Sequence, residues 1–326
     1  MLSVLIPTLN EAANIADCLA SVRWVREIVV VDSGSADGTP QIATQLGAQV
    51  VQFNWNGRLP KKKNWALENI PWRNEWVLIL DADERVTPAL AAEITSALAN
   101  PSADGYFLNR RFLFMGKWIR HCGYYPSWNL RLFRHVRGRY EIMCESETRS
   151  GDNEVHEHVI LNGRSAFLHK DMLHLAYPDI FTWVEKHNRY SNWEAQLETC
   201  RKAPRSGVPA ERHWEWFRGL PAPSRDAVTP RFIVPAFAQA EAFNDHSQIA
   251  PFLAHKRRLK LWSRRFPFRP TLRFLYSYIL QRGFLDGYEG YALCRLLATY
   301  EMLSALKTRE LRLKTTRRAA VRSADF

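Results

Sequence analysis

The stretch "WVLILDADERV", residues 76–86, decides the fold. Five apolar residues, Trp76 to Leu80, run without a polar break and stop at three acids within four positions, Asp81, Asp83 and Glu84. So short an apolar run suits a strand buried on both faces, as in a parallel sheet covered by helices. Ligands of such sheets sit beyond the carboxyl ends of the strands, where these acids gather. In an extended chain Asp81 and Asp83 point the same way and Glu84 points opposite. Such a pair suits Mg2+ or Mn2+, which takes few protein carboxylates and completes its shell with phosphate oxygens. The competing reading has the acids capping the next helix, whose N-terminus favours negative charge.

Upstream, the same grammar repeats. "LSVLIPT" and "EIVVVD" read as buried strands, "AQVVQFN" as a third, and "WVLIL" becomes the fourth. Between them lie helical signals. Asn10 is placed to cap a helix carrying Ile15, Leu19 and Val22, a second helix spans about Pro40 to Leu46, and "KKKNWALENI" reads as a third. Thr87-Pro88 opens another that runs to about Leu98. This alternation predicts an α/β fold, a mostly parallel central sheet flanked by helices. It also predicts that "PTLNE", "DSGSADGT" and "DADE", each following a strand, converge in space.

Asp32 ends the second strand in front of a small-residue turn, where it can accept from a base or ribose. An ordinary Asx turn is the plainer reading. The turn contains no G-x-G-x-x-G and no G-K-[ST], which argues against dinucleotide and P-loop sites. Lys61 to Lys63 with Asn64 either neutralise diphosphate charge or form a solvated helix face. Arg131 and Arg134, three apart, can clamp an anionic acceptor such as a phosphorylated sugar.

Composition narrows the setting. The chain has 326 residues and is 46% hydrophobic, enough for a packed core and against general disorder. Five scattered cysteines, with no C-x-x-C, indicate a reducing, cytoplasmic environment. The N-terminus lacks the basic n-region of a signal peptide, and no stretch reaches the roughly 18 uncharged apolar residues of a spanning helix. The net charge of +12 is local. Residues 256–273 hold eight basic and no acidic groups, residues 307–326 contribute +5, and 12 − 8 − 5 leaves −1 for the rest. Interleaved with Trp262, Phe266, Phe268 and Phe274, the first block predicts contact with an anionic membrane surface through 256–306. Leu293, Leu296, Leu297, Tyr300 and Leu303 form a helical stripe that packs on the catalytic domain or faces lipid. A basic nucleic-acid-binding protein is the rival class. No binding motif accompanies the charge, and the acidic clusters repel a polyanion, so no nucleic-acid partner is expected.

"SVLIPTLNEAANI", "IVVVDSGSADGT" and "VLILDADERV", in that order, resemble family 2 glycosyltransferases of the GT-A fold. "YPSWNLRLFRH", "EVHEHV", "MLHLAYPD", "KHNRYSNWEA" and "FLYSYILQRGFLDGYEGY" resemble the bacterial lipopolysaccharide core glucosyltransferase branch. The resemblance covers about 1–200 and 260–306. It implies a catalytic domain over 1–200, with a nucleotide-sugar half at about 1–105 and an acceptor half at 106–200. A Pro-rich insertion (201–255), a helical membrane-associating region (256–306) and a basic tail (307–326) follow.

The resemblance further implies an inverting hexosyltransferase that uses a UDP-sugar donor, Mg2+ or Mn2+, and a glycolipid or lipopolysaccharide-core acceptor. It would act peripherally on the inner face of the cell membrane. Transfer to a polyprenyl phosphate, as in dolichyl-phosphate mannose synthase relatives, is the alternative within enzymes. By the same resemblance Pro7, Thr8, Asn10, Glu11, Ser33, Asp37, Lys63, Asn64 and Ala82 line the nucleotide-sugar, Asp32 holds the uracil, and Asp81 meets ribose or metal. Asp83 binds the cation, and His174 contacts diphosphate or metal. Inversion requires a base on the acceptor side. In "DNEVHEHV" Glu157 is the leading candidate, with Glu154 and Asp152 as alternatives.

Overall fold

The computed structural model describes residues 1–57, 59–141, 158–200 and 268–324. Strands β1 (Leu2–Thr8), β2 (Glu27–Asp32), β3 (Gln49–Gln52) and β4 (Trp76–Ile79) lie parallel in the order β3-β2-β1-β4. Successive residues of each apolar run face opposite sides. Val4, Ile6 and Leu78 pack on one face against Ile15, Leu19, Leu90 and Ile94. Leu5, Val29, Val77 and Ile79 pack on the other, against Ala66, Leu67 and Phe53. Helices α1 (Ala12–Ser21), α2 (Thr39–Gln45), α3 (Lys62–Asn69) and α4 (Pro88–Ala99) supply this cover. At α4 the Thr87 hydroxyl accepts from Leu90 N at 3.2 Å, the expected cap.

Beyond residue 100 the sheet changes character. Strands β6 (Gly105–Phe114), β8 (Trp128–Arg134) and β11 (Ser165–His174) extend it as β4-β8-β6-β11, with the short β5 (Glu84–Val86) at the far edge. Pairings β4–β8, β6–β8 and β11–β5 are antiparallel, as is that of the small β7 (Lys117–Trp118) with β6. The expectation of a mostly parallel sheet thus describes the first four strands and the β6–β11 pair. A parallel pair needs a crossover of a dozen or more residues, and β6 to β7 to β8 are joined by turns shorter than that. β9 (Gly138–Tyr140) and β10 (Val159–Leu161) form a separate antiparallel ribbon.

Helix α5 (Ile180–Cys200) follows β11. After the undescribed segment come α6 (Arg269–Leu275), a π-helical turn (Tyr276–Leu280), a 3-10 turn (Gly283–Asp286) and α7 (Gly287–Ala324). Leu293, Cys294 and Leu297 of α7 are buried against Phe112, Phe114, Ile119, Cys122 and Trp183. The leucine stripe therefore packs on the catalytic sheet. Gly290 is required there, since a Cβ on it would lie 2.2 Å from the Gly283 carbonyl oxygen. Among the described residues, no helix is long and apolar enough to cross a membrane.

Candidate active site

The three polar clusters meet at one end of the sheet. Parallel pairing sets Thr8 beside Asp32, and the Thr8 hydroxyl donates to Asp32 Oδ1 at 2.9 Å. Asp32 is fully buried, and its Oδ2 accepts from Gly34 N (2.9 Å) and Ser35 N (2.8 Å). This carboxylate organises the turn by accepting hydrogen bonds from within its own and the neighbouring loop. Its neighbour Ser33 has a buried hydroxyl with no partner among the described residues.

Asn10, with φ 56°, accepts from Ala36 N at 2.9 Å and does not cap α1. The cap comes from the next loop, where Asp37 Oδ2 accepts from Ala12 N at 2.9 Å. Desolvation raises the Asp37 carboxyl, but the bonds from Thr39 and Ala12 together hold it below its ordinary range. Glu11 N donates to Thr39 Oγ1 at 2.9 Å, which laces the first two loops together.

The fourth loop carries the acids, and each of them meets a base. Arg131 Nη2 lies 2.6 Å from Asp81 Oδ2 and 3.0 Å from Glu84 Oε1, while Lys63 Nζ is 3.0 Å from Asp81 Oδ1. Burial pushes the Asp81 carboxyl up, but Arg131 and Lys63 outweigh it and hold it well below the usual carboxylate range. Glu84 is completely buried. It accepts from Asp81 N at 2.9 Å and faces Arg110 at 3.4 Å. Arg131 is therefore a brace inside the acidic turn and not a free acceptor clamp.

Asp83 projects elsewhere. His174 Nε2 lies 3.7 Å from its Oδ1, and Lys186 Nζ of α5 lies 3.9 Å from its Oδ2. The edge pairing of β5 with β11 makes this meeting, setting His174 opposite Glu84, and Leu175 N donates to Asp83 O at 2.8 Å. Burial raises the Asp83 carboxyl, yet His174 and Lys186 bring it below its usual value. Glu11 is pushed the other way, mainly by burial and further by Asp83 and Asp81, although Asn14 donates to it at 2.8 Å.

Other expected site residues are structural or distant. Asn64 exchanges hydrogen bonds with the Tyr140 backbone, both at 2.8 Å, and so fastens α3 to β9. Arg134 pairs with Trp76 at the start of β4, the opposite end of the sheet from Asp81, and forms ion pairs with Glu75 and Asp104. It is too far along the strand to join Arg131 in a clamp. Ala82 is buried and Pro7 partly so. Lys62 Nζ donates to Thr8 O at 2.8 Å. Glu157, Glu154 and Asp152 lie outside the described residues. Sequence reasoning missed Lys186, whose only signal is one lysine inside "KHNRYSNWEA".

A divalent cation can be tested against this donor set. Among the described residues, no three His, Cys, Asp or Glu side chains approach closely enough to hold a metal. Asp81 is engaged by Arg131 and Lys63 in this conformation. Asp83 and His174 remain, an oxygen and a nitrogen donor on facing elements. Two protein ligands fit an ion whose other positions are filled by substrate phosphate and water.

Residues 3–153 match the model of Glycosyl transferase family 2. The lipopolysaccharide core biosynthesis glycosyltransferase LpsC of Rhizobium meliloti (strain 1021) is 31% identical over 215 residues, 62% of this chain and 73% of LpsC. A glycosyltransferase of Rickettsia felis is 29% identical over 228 residues, 67% of this chain and 78% of that one. Among solved structures, S. aureus TarS 1-349 in complex with UDP-GlcNAc superposes with a TM-score of 0.40 at 17% identity, covering 60% of this chain and 65% of TarS. That overlay is too loose to transfer any contact. The family match over residues 3–153, with the LpsC similarity spanning most of that protein, identifies the chain as a member of glycosyl transferase family 2 and hence as a glycosyltransferase.

Proposed function

We propose that this enzyme moves a sugar, with inversion, from a UDP-sugar to a hydroxyl of a lipid-anchored saccharide such as lipopolysaccharide core, and depends on Mg2+ or Mn2+. One observation carries the reading: the three acids of the fourth loop each meet a protein cation, with Asp83 and His174 facing each other at 3.7 Å. Glu11, Asp81, Asp83 and Glu84 face Lys63, Arg110, Arg131 and Lys186. A bare diphosphate would bring uncompensated negative charge to Asp83, whereas a diphosphate carrying a divalent cation enters neutral.

Asp83 and His174 would hold that ion, which supplies counter-charge to the departing diphosphate. The acceptor hydroxyl oxygen attacks C1 of the donor sugar. The bond from C1 to the diphosphate oxygen breaks, and its electron pair leaves with UDP. The hydroxyl proton goes to a carboxylate on the acceptor side, for which Glu157, with Glu154 and Asp152 as alternatives, is the proposed base. Thr8, the Ser33 hydroxyl and the laced loops of Asn10 and Asp37 would receive the nucleotide.

Similarity to LpsC supports the acceptor class. Leu272, Leu275, Ile279, Leu280 and Leu285 are exposed, and Arg273 and Arg282 lie among them in sequence. Apolar side chains among cations suit the headgroup region of an anionic bilayer, so the enzyme would work peripherally at the cytoplasmic face. The test supplies purified protein with Mn2+ or Mg2+, a panel of UDP-sugars, and either core saccharide lipid or polyprenyl phosphate. Turnover on the core acceptor is expected, with Asp83→Ala reducing it at least about 100-fold. Transfer to polyprenyl phosphate alone would replace the acceptor class, and full activity in Asp83→Ala would overturn the metal assignment.

A further inference from the structure

Lys186 lies beside Asp83 in the proposed donor site and is held by longer contacts than the other cations there. Its Nζ lies 3.9 Å from Asp83 Oδ2, donates to the Ala176 carbonyl at a long 3.3 Å, and sits 5.6 Å from the Tyr177 ring centroid. The other cations of the site are fixed more tightly: Arg131 at 2.6 Å and Lys63 at 3.0 Å from Asp81. Lys186 also keeps 24% of its side-chain surface open to solvent, against 8% for Arg131 and 14% for Lys63. The groups that face it are Asp83, Glu11 and, across Asp83, His174.

A rigid element carries it. Asp179 Oδ1 accepts from Thr182 N at 2.6 Å at the start of α5, and Trp183 is buried against Phe112 and α7. The backbone at position 186 is thereby fixed, while the four-carbon stem can swing its charge. A divalent ion arriving at Asp83 would repel the ammonium group from the carboxylate, and a diphosphate bound to that ion offers the nearest new anion.

Resting on the donor site proposed above, we infer that Lys186 is the mobile counter-charge of this site: it occupies Asp83 in the free enzyme and transfers to the donor's diphosphate when the cation takes its place. Lys186 thus competes with the metal alone and cooperates with the metal plus nucleotide. Opposite effects on two ligands are a signature that loss of packing does not produce.

The experiment measures binding without turnover. Mn2+ alone is titrated by electron paramagnetic resonance, and UDP at saturating Mn2+ by calorimetry, on the full chain and on Lys186→Met, Lys186→Gln and Lys186→Arg. For Lys186→Met the expected results are Mn2+ affinity tightened about threefold or more, and UDP affinity weakened about 10-fold or more. Lys186→Arg, which keeps the charge, should restore most of the UDP affinity, and the neutral Lys186→Gln repeats the test should Lys186→Met fail to fold. Unchanged UDP affinity in Lys186→Met, weakening of both ligands together, or no rescue by arginine relative to Lys186→Gln would overturn the inference. Wild-type protein that binds no UDP even with Mn2+ would instead sink the donor site on which it rests.

Discussion

Glu84 receives hydrogen bonds from Asp81 N and Arg131, with Arg110 close by, while wholly shielded from water. Removing one member of such a network leaves the others charged and unpaired, which costs more than the pair contributes. Glu84→Ala should therefore destabilise the fold by roughly 3–5 kcal/mol, read from denaturant unfolding; a loss below about 1 kcal/mol would contradict the bracing role. His187 supplies a pH test. It is stacked on Trp183, and burial, partly offset by its bond with the Trp183 carbonyl, pushes it down to about 4. The unfolded chain takes a proton near pH 6.5 while the folded one stays neutral, so stability falls as pH drops from about 6.5 toward 4. His187→Phe should flatten on the order of 2 kcal/mol of that slope, seen by comparing unfolding at pH 7 and pH 4.5. At this scale the acidic turn was legible in the sequence, because a buried run ending in carboxylates demands counter-charge. The identity of that charge was not, since Arg131, Lys63 and Lys186 are brought to it by elements up to about a hundred residues away.

Among the elements, β5 is the one that makes the site and the one the sequence concealed. Three residues have no period to detect, and "ERV" becomes a strand only because β11 pairs with it. The first four strands were legible because β-branched runs between helical signals leave few alternatives. The antiparallel direction of the later strands was not, because it follows from loop length and not from composition. Helix α7 was recognised by its leucine stripe, and its docking gives a quantitative expectation. Leu293, fully buried beside Phe112 and Trp183, should cost about 2–5 kcal/mol when changed to Ala. Gly290→Ala should be comparably damaging despite adding only a methyl, because the facing atom is a backbone carbonyl that cannot move aside. Both are checked by thermal and denaturant melts; a neutral Gly290→Ala would contradict the close approach of α7 to the Gly283 turn.

For the whole molecule, the sequence's uneven charge has a counterpart in where apolar surface is left open. Ile279 is 53% exposed and Leu280 is 72% exposed, between Arg273 and Arg282 in sequence. Replacing both Ile279 and Leu280 by Glu should weaken sedimentation with vesicles rich in anionic lipid while leaving the fold intact, and raised salt should weaken binding of the wild type. Equal binding of the variant would remove this face from the membrane proposal. The proposal that Asp83 and His174 grip a divalent ion delivering the donor's diphosphate is put to a crystal soaked with Mn2+ and UDP. An anomalous manganese peak touching Asp83, His174 and the diphosphate is expected, with Lys186 moved off Asp83. A diphosphate bound with no ion between it and Asp83, or manganese bound elsewhere, would contradict it.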